Sequence, residues 1–274
     1  MLTKHDSPDA KEAWSALIEH NPNSYDAYRG YLENAGLSFG MPHLFLHVTL
    51  LISPEVPNQK AIEILEEFIT RLPRATAPRR LQLKLSSGDQ FRELLYPYIL
   101  RGLEKGIPSL FADLKTLYND PEKRNTMQEV ATALREQHVN SSPSYDRDTE
   151  PTNHLWALYF LAQHYSHLSQ HPEALSLLNM ALDHTPTLPE LYMLKGRVLK
   201  RVGDYVGAAQ AINDARLLDG QDRFLNTKCG KYLLRAGMVD EAIGIFGLFT
   251  KVGTITFIVT GPRILRIAFL RKTR

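Results

Sequence analysis

Two pairs of basic residues recur at a spacing of 34 in the second half of the chain. Arg197 aligns with Lys231, and Arg201 aligns with Arg235. Residues four apart on a helix lie on one face, so each helix would present two cations to the same side. Three further polar residues lie close to these pairs in the sequence, namely Lys200, Lys228 and Tyr232.

Such a convergence of cations is suited to binding a polyanion. Lysine and arginine donate charge-assisted hydrogen bonds to phosphate and carboxylate oxygens. The chemistry requires neighbouring helices that bring both pairs to one surface. The alternative is a solvated basic face that only aids solubility, and spacing alone leaves both interpretations open.

A second basic group follows Pro73 and consists of Arg74, Arg79 and Arg80. In isolation this group is typical of a solvated turn. The alternatives are a partner contact or an RNA, where neutralised phosphates would make binding weaken with salt. Arg79 and Arg80 are therefore candidate partner-binding residues, as are Arg197 and Arg235.

The chain lacks the motifs of common active sites. It has no Gln/Arg-x-x-Gly-x-Gly/Ala loop for acetyl-coenzyme A, no P-loop and no GxGxxG pattern. His164, His167 and His171 are close in sequence, but no second cluster completes a tetrahedral metal set. Cys229 is expected on the packed side of a helix rather than as a nucleophile. We predict no catalytic residue and no metal site.

Composition indicates a packed globular protein. The chain of 274 residues is 43% hydrophobic and 23% charged, with a formal net charge of +2. No overall charge excess points to direct DNA binding or to a membrane. Cys229 is the one cysteine, which suits a reducing compartment. The first ten residues carry charges where a signal peptide needs apolar residues, and the apolar runs are too short to cross a bilayer, so we expect a cytoplasmic protein.

The basic pairs belong to an internal repeat of 34 residues. Small residues recur every 34 positions at Ala174, Ala208 and Ala242. Three further columns share this register: Tyr165, Leu199 and Leu233; Leu178, Ile212 and Phe246; Ser169, Gly203 and Gly237. This is the tetratricopeptide pattern. It predicts an all-α fold, a right-handed superhelix (α-solenoid) of antiparallel helix pairs, with the Ser/Gly column ending each first helix.

The rest of the chain follows this pattern less closely. Residues 1–73 are predicted to form irregular helix pairs, with an apolar insertion near 37–57 that is either a buried extra element or foreign to the fold. Residues 74–136 are a helical connector, 137–153 a polar linker, 154–251 three repeats, and 252–274 an anomalous tail that begins with a β-prone run.

Several strings outside the repeat columns resemble the auxiliary, ribosome-anchoring subunit of the N-terminal acetyltransferase A complex. The strings occupy residues 72–74, 77–81, 87–91, 103–111, 117–123, 155–165, 184–188 and 222–229. The resemblance covers residues 11–251 except for the 37–57 region, and family members are longer at both ends.

The resemblance implies a non-catalytic scaffold that binds the catalytic acetyltransferase subunit and tethers it to the ribosome. It also implies inositol hexakisphosphate as a structural ligand, bound by basic residues and a tyrosine. The matching positions are Lys200, Arg201, Lys228, Lys231 and Tyr232. A general adaptor that binds acidic peptide tails through the same cations remains the alternative function.

Overall fold

The structure, a computed structural model, describes residues 7–37, 55–140, 153–248, 256–260 and 264–268. The chain divides into two compact units. The first consists of residues 1–105 with 112–133, and the second of residues 106–111 with 134–274. Most of the predicted insertion and linker, and much of the tail, lie outside the described residues.

The described part of the first unit begins with five helices, and its core contains an aromatic cluster. Their bounds are α1 Pro8–His20, α2 Tyr25–Asn34, α3 Glu55–Arg71, α4 Ala77–Leu85 and α5 Gly88–Glu104. The Phe68 ring is met edge-on by the rings of Tyr28 and Tyr31, with centroids 5.4 and 5.0 Å away. Gly30 brings α2 against α1, because a β-carbon there would lie 2.5 Å from the Trp14 ring.

Three elements carry the chain onward from α5. They are α6 Leu110–Leu114, a 3₁₀ turn Lys115–Asn119 and α7 Pro121–Asn140. Within the first unit, α7 also closes the end of α4. The Lys123 ammonium donates to the carbonyl oxygens of Leu83 and Lys84, both at 3.0 Å. These carbonyls belong to the last turn of α4 and have no partner within that helix.

The second unit contains three helix pairs in the predicted register. The first helices are α8 Asn153–His167, α10 Pro189–Val202 and α12 Arg223–Arg235. The second helices are α9 His171–His184, α11 Tyr205–Leu218 and α13 Val239–Gly247. Each pair shares a core in which the alanine column is fully buried, with Ala174, Ala208 and Ala242 at most 1% exposed. The all-α repeat fold predicted from the 34-residue period is confirmed.

The Ser/Gly column ends each first helix in the same way. Ser169, Gly203 and Gly237 have φ angles of +63°, +98° and +80°. In each repeat the following residue donates its backbone N–H to the Tyr165, Leu199 or Leu233 carbonyl, at 2.9 to 3.0 Å. This is the Schellman end of a helix, which needs a left-handed residue. The prediction made for this column is confirmed.

The β-prone run of the tail forms strands beyond the repeats. Strand β1 (Thr256–Thr260) pairs antiparallel with β2 (Ile264–Ala268), and Ile258 is opposite Arg266. The all-α class therefore holds for the helix pairs and not for this hairpin. Over the described residues, no helix is both long and apolar enough to span a bilayer.

Candidate functional site

The packing of α10 and α12 decides which of their residues face outward. Gly196 lets α10 approach α11 closely, since a β-carbon there would lie 2.8 Å from an Ile212 side-chain carbon and 3.0 Å from the Ala208 carbonyl oxygen. Gly230 does the same on α12, where the Phe246 ring would lie 2.5 Å away. Because these sides pack against the second helices, the basic residues lie on the side of each first helix that faces away from its second helix.

The two basic pairs line one open cavity of about 430 Å³ within the second unit. Six cations surround it, namely Arg197, Lys200, Arg201, Lys228, Lys231 and Arg235. The aromatic rings of Phe224 and Tyr232 and the side chain of Thr227 complete the lining. We call this cavity the basic pocket. All the residues predicted as an inositol phosphate site, together with Arg197 and Arg235, lie in it.

Two of the lysines are held over aromatic rings. The Lys228 ammonium lies 4.6 Å from the Phe224 ring centroid, and it also contacts the Met193 sulfur at 3.9 Å. The Lys200 ammonium lies 5.4 Å from the Tyr232 ring centroid. Cation–π contacts of this kind orient a lysine without neutralising its charge.

Arg201 is anchored differently from the other cations. Its Nη1 donates to the Ser166 carbonyl oxygen at 2.9 Å and to the Ser166 hydroxyl at 2.6 Å. Ser166 is 2% exposed and lies in the last turn of α8. One side of the guanidinium is thus occupied by the preceding repeat, while the remaining N–H groups can reach a ligand.

Within the described parts of the chain, no acidic neighbour compensates the positive charge of the basic pocket. Among the described side chains, none of the six cations has a carboxylate oxygen within 4.0 Å. Burial lowers the pKa of Lys200, and so do the charges of Arg235, Arg197 and Arg201. Burial lowers the pKa of Lys228 as well, with further contributions from Arg197 and Lys200.

Tyr232 responds to the same surroundings in the opposite direction. Burial raises the pKa of its hydroxyl, and the nearby arginines only partly offset that effect. Tyr232 therefore stays protonated near neutral pH and can donate a hydrogen bond to an anion. Phe224 and Thr227 were missed by the sequence analysis. Their repeat columns hold unlike residues, such as Glu190 opposite Phe224, so that only their position one turn before Lys228 and Lys231 could have indicated them.

The second predicted basic group is divided by the fold of the first unit. Arg80 donates to the Asp113 carbonyl oxygen at 2.9 Å and lies 3.7 Å from its carboxylate. Arg79 instead donates to the Pro73 carbonyl oxygen at 3.3 Å, and Arg101 donates to the same oxygen at 3.2 Å. Arg80 thus has an internal structural role, and Arg79 is joined by an arginine that the sequence analysis did not select. Their contact with a partner stays a prediction.

The residues considered for metal binding or nucleophilic chemistry lie in packing positions. His164 is fully buried beside the Tyr165 ring, and the His167 ring packs edge-on against Phe111. Cys229 is fully buried, and burial raises the pKa of its thiol. Within the described ranges, no three His, Cys, Asp or Glu side chains are grouped as metal ligands.

The sequence matches one protein family over most of its length. The model of the family described as "N-terminal acetyltransferase A, auxiliary subunit" matches residues 2–258. The human protein named N-alpha-acetyltransferase 16, NatA auxiliary subunit, is 37% identical over 250 residues, which are 90% of this chain and 27% of that protein. The NAA15 auxiliary subunit of Arabidopsis thaliana is 33% identical over 248 residues, which are 89% of this chain and 26% of that protein.

A solved structure is similar over the same extent. The structure of Naa15/Naa10 bound to HypK-THB contains a chain that matches with a TM-score of 0.74 and 32% identity. The match covers 89% of this chain and 34% of that chain. The 274 residues thus span roughly a quarter to a third of the length of these relatives.

Proposed function

The chain belongs to the family of auxiliary subunits of N-terminal acetyltransferase A, and from that premise we propose that it is a scaffold segment. It would hold the catalytic acetyltransferase subunit and place it near the ribosome, in the cytoplasm. The single observation that carries a specific role is the basic pocket, where six cations converge without a compensating carboxylate among the described residues. The ligand that we propose for this pocket is inositol hexakisphosphate or a closely related polyphosphate.

Binding of a catalytic partner is supported by the solved relative. That Naa15 protein is assembled with Naa10 and with HypK-THB. The repeat region of our chain presents continuous helix faces of the kind that repeat proteins use to bind partners. In this proposal the acetyl transfer belongs to the partner, and the chain fixes the partner's position. The ribosome contact rests on the family resemblance alone.

The chemistry of the basic pocket favours phosphate groups. Arginine binds phosphate oxygens in a bidentate manner, and lysine contributes a compact point charge. Arg197, Lys231 and Arg235 have no hydrogen bond or ion pair with another described side chain, so their donors are available to a ligand. A cavity of about 430 Å³ lies within the size range of small-ligand sites. An acidic peptide tail would use the same cations through its carboxylates.

The decisive experiment measures inositol hexakisphosphate binding by titration calorimetry. The double variant Lys200→Glu/Lys231→Glu should lose at least about 100-fold in affinity, because each charged hydrogen bond contributes about 1.5–3 kcal/mol. The matched control is Lys60→Glu/Lys105→Glu, which makes the same charge change at exposed positions of the first unit. Unchanged affinity in the first variant would refute the proposed ligand.

A second experiment tests the partner. The chain is used to capture the catalytic acetyltransferase subunit, and the captured complex is assayed for acetylation of a nascent-chain peptide. We expect activity to be recovered with the wild-type chain. Capture of a chaperone's acidic tail, with no acetyltransferase subunit bound, would instead establish the general adaptor.

A further inference from the structure

Two amines in the basic pocket are chemically unlike ordinary surface lysines. The Lys200 and Lys228 side chains are partly buried and border an open cavity. Each is held in place over an aromatic ring and surrounded by other cations. No carboxylate of the described residues lies within 4.0 Å of either ammonium group.

These surroundings increase the fraction of each amine that is in the neutral, nucleophilic form. Burial lowers the pKa of both lysines, and the neighbouring cations lower it further. Placing a lysine next to other cationic groups is one way in which proteins activate it as a nucleophile. The cation–π contacts act against this effect by stabilising the charged form, but both lysines still line an open cavity.

The pocket also attracts one class of electrophile. Acyl-coenzyme A thioesters carry several phosphate charges, and a field of six cations raises the local concentration of polyanions. We propose that Lys200 and Lys228 are acylation sites that react directly with acyl-coenzyme A molecules drawn into the basic pocket. This inference rests on the polyanion pocket proposed above, but it does not require the catalytic subunit.

The reaction balances without any further reagent. The lone pair of the neutral lysine nitrogen attacks the thioester carbonyl carbon, and a tetrahedral intermediate forms. The C–S bond then breaks, coenzyme A leaves as the thiolate, and the nitrogen loses a proton to solvent or to that thiolate. An amide bond replaces the thioester, and no atom is oxidised or reduced.

The modification would act on the function of the pocket. Acylation removes one positive charge and its hydrogen-bond donors. An acylated pocket should therefore bind inositol polyphosphate more weakly, and a bound polyphosphate should shield both lysines from acylation. The same surface would thus report acyl-coenzyme A levels through its affinity for the polyphosphate.

The test measures acetyl incorporation at single lysines. The 274-residue chain is incubated with acetyl-coenzyme A, and peptide mass spectrometry follows the occupancy of Lys200, Lys228 and the exposed reference Lys60. We expect the two pocket lysines to react at least about tenfold faster than Lys60, which is the low end of the enrichment that a charged cleft provides. Inositol hexakisphosphate should abolish the difference, and a neutral acetyl thioester should show a smaller one.

A charge variant separates this inference from the general reactivity of lysine. Arg197→Gln removes a cation that affects both amines, and it should slow their acetylation relative to Lys60. The control Arg29→Gln, on an exposed face of α2, should have no effect.

The outcomes distinguish this inference from the proposed ligand. Equal rates at all three lysines, in a chain that binds inositol hexakisphosphate by calorimetry, would overturn the acylation proposal and leave the polyphosphate site standing. Equal rates together with no polyphosphate binding would overturn both. A preference for the pocket lysines that is just as large with the neutral thioester would refute the role given to the phosphates.

Discussion

The helix ends of the three repeats allow a test of the fold, because one of them has a serine in the left-handed conformation that favours glycine. Ser169 has a φ of +63°, whereas the equivalent positions in the next two repeats are Gly203 and Gly237. Ser169 is exposed, and its hydroxyl has no hydrogen bond to a described residue. Replacing Ser169 with glycine should therefore remove backbone strain and lose no contact.

The expected size of this gain follows from two opposing effects. A residue with a β-carbon in the left-handed region costs about 1–2 kcal/mol. Glycine offsets about 0.5–1 kcal/mol of this gain, because it makes the unfolded chain more flexible and so increases the entropy lost on folding. Ser169→Gly should thus raise the free energy of unfolding by about 0.5–1 kcal/mol. For a urea m-value of about 2 kcal/mol/M, the midpoint should rise by about 0.3–0.5 M.

The assay is urea unfolding followed by far-ultraviolet circular dichroism, with two controls. Ser176→Gly makes the same chemical change in the middle of α9, and it should lower the midpoint because glycine weakens a helix interior. Gly237→Ser makes the reverse change at φ +80°, and it should also lower the midpoint. If Ser169→Gly is as destabilising as Ser176→Gly, the left-handed helix end assigned to this repeat is wrong.

Three further predictions concern packing and ionisation. Gly196→Val should destabilise the second unit by about 1–3 kcal/mol in urea unfolding, because its side chain would overlap Ile212 and the α11 backbone; Gly244→Val, in open space on α13, should not. In the same assay, Lys123→Met should lower the free energy of unfolding by about 1–3 kcal/mol, because two carbonyl groups at the end of α4 lose their hydrogen-bond donor. An unchanged midpoint would show that water replaces the ammonium group. Burial raises the pKa of three tyrosines to about 12, so the stability gained by keeping them protonated is complete below pH 10 and should be lost as the pH rises toward 12. The urea midpoint should fall over that pH range. These tyrosines are Tyr28, Tyr98 and Tyr159.

The repeat features could be predicted from the sequence because periodicity is itself structural information. Equivalent residues in stacked helix pairs occupy equivalent positions, so the columns of alanine, of Ser/Gly and of cations each describe one place in the fold. The left-handed helix ends followed from residue type and register alone. The four cations of the basic pocket that recur with the period, Arg197, Arg201, Lys231 and Arg235, were found in the same way.

Contacts outside the period could not be predicted, because they join residues that are distant in sequence and have no repeated counterpart. Arg80 and Asp113 are 33 residues apart, and no pattern in the sequence links them. Arg101 meets Arg79 only because both helices direct a guanidinium to the Pro73 carbonyl. The sequence analysis placed Arg79 and Arg80 in one group because they are adjacent in the chain, although neighbouring residues on a helix point in different directions.

The sequence left two interpretations of the basic residues, a ligand site or a solvated face, and the geometry bears on that choice. A solvated face would direct its cations apart and leave their pKa values undisturbed, since water screens exposed charges well. In the basic pocket, burial and mutual repulsion lower the pKa of Lys200 and Lys228. Repulsion of this kind destabilises the unliganded fold, and a polyanion that binds only the folded chain would relieve it and stabilise that state by mass action. Inositol hexakisphosphate should therefore raise the unfolding midpoint of the second unit in proportion to the logarithm of its concentration, and a midpoint that does not respond would favour the solvated face.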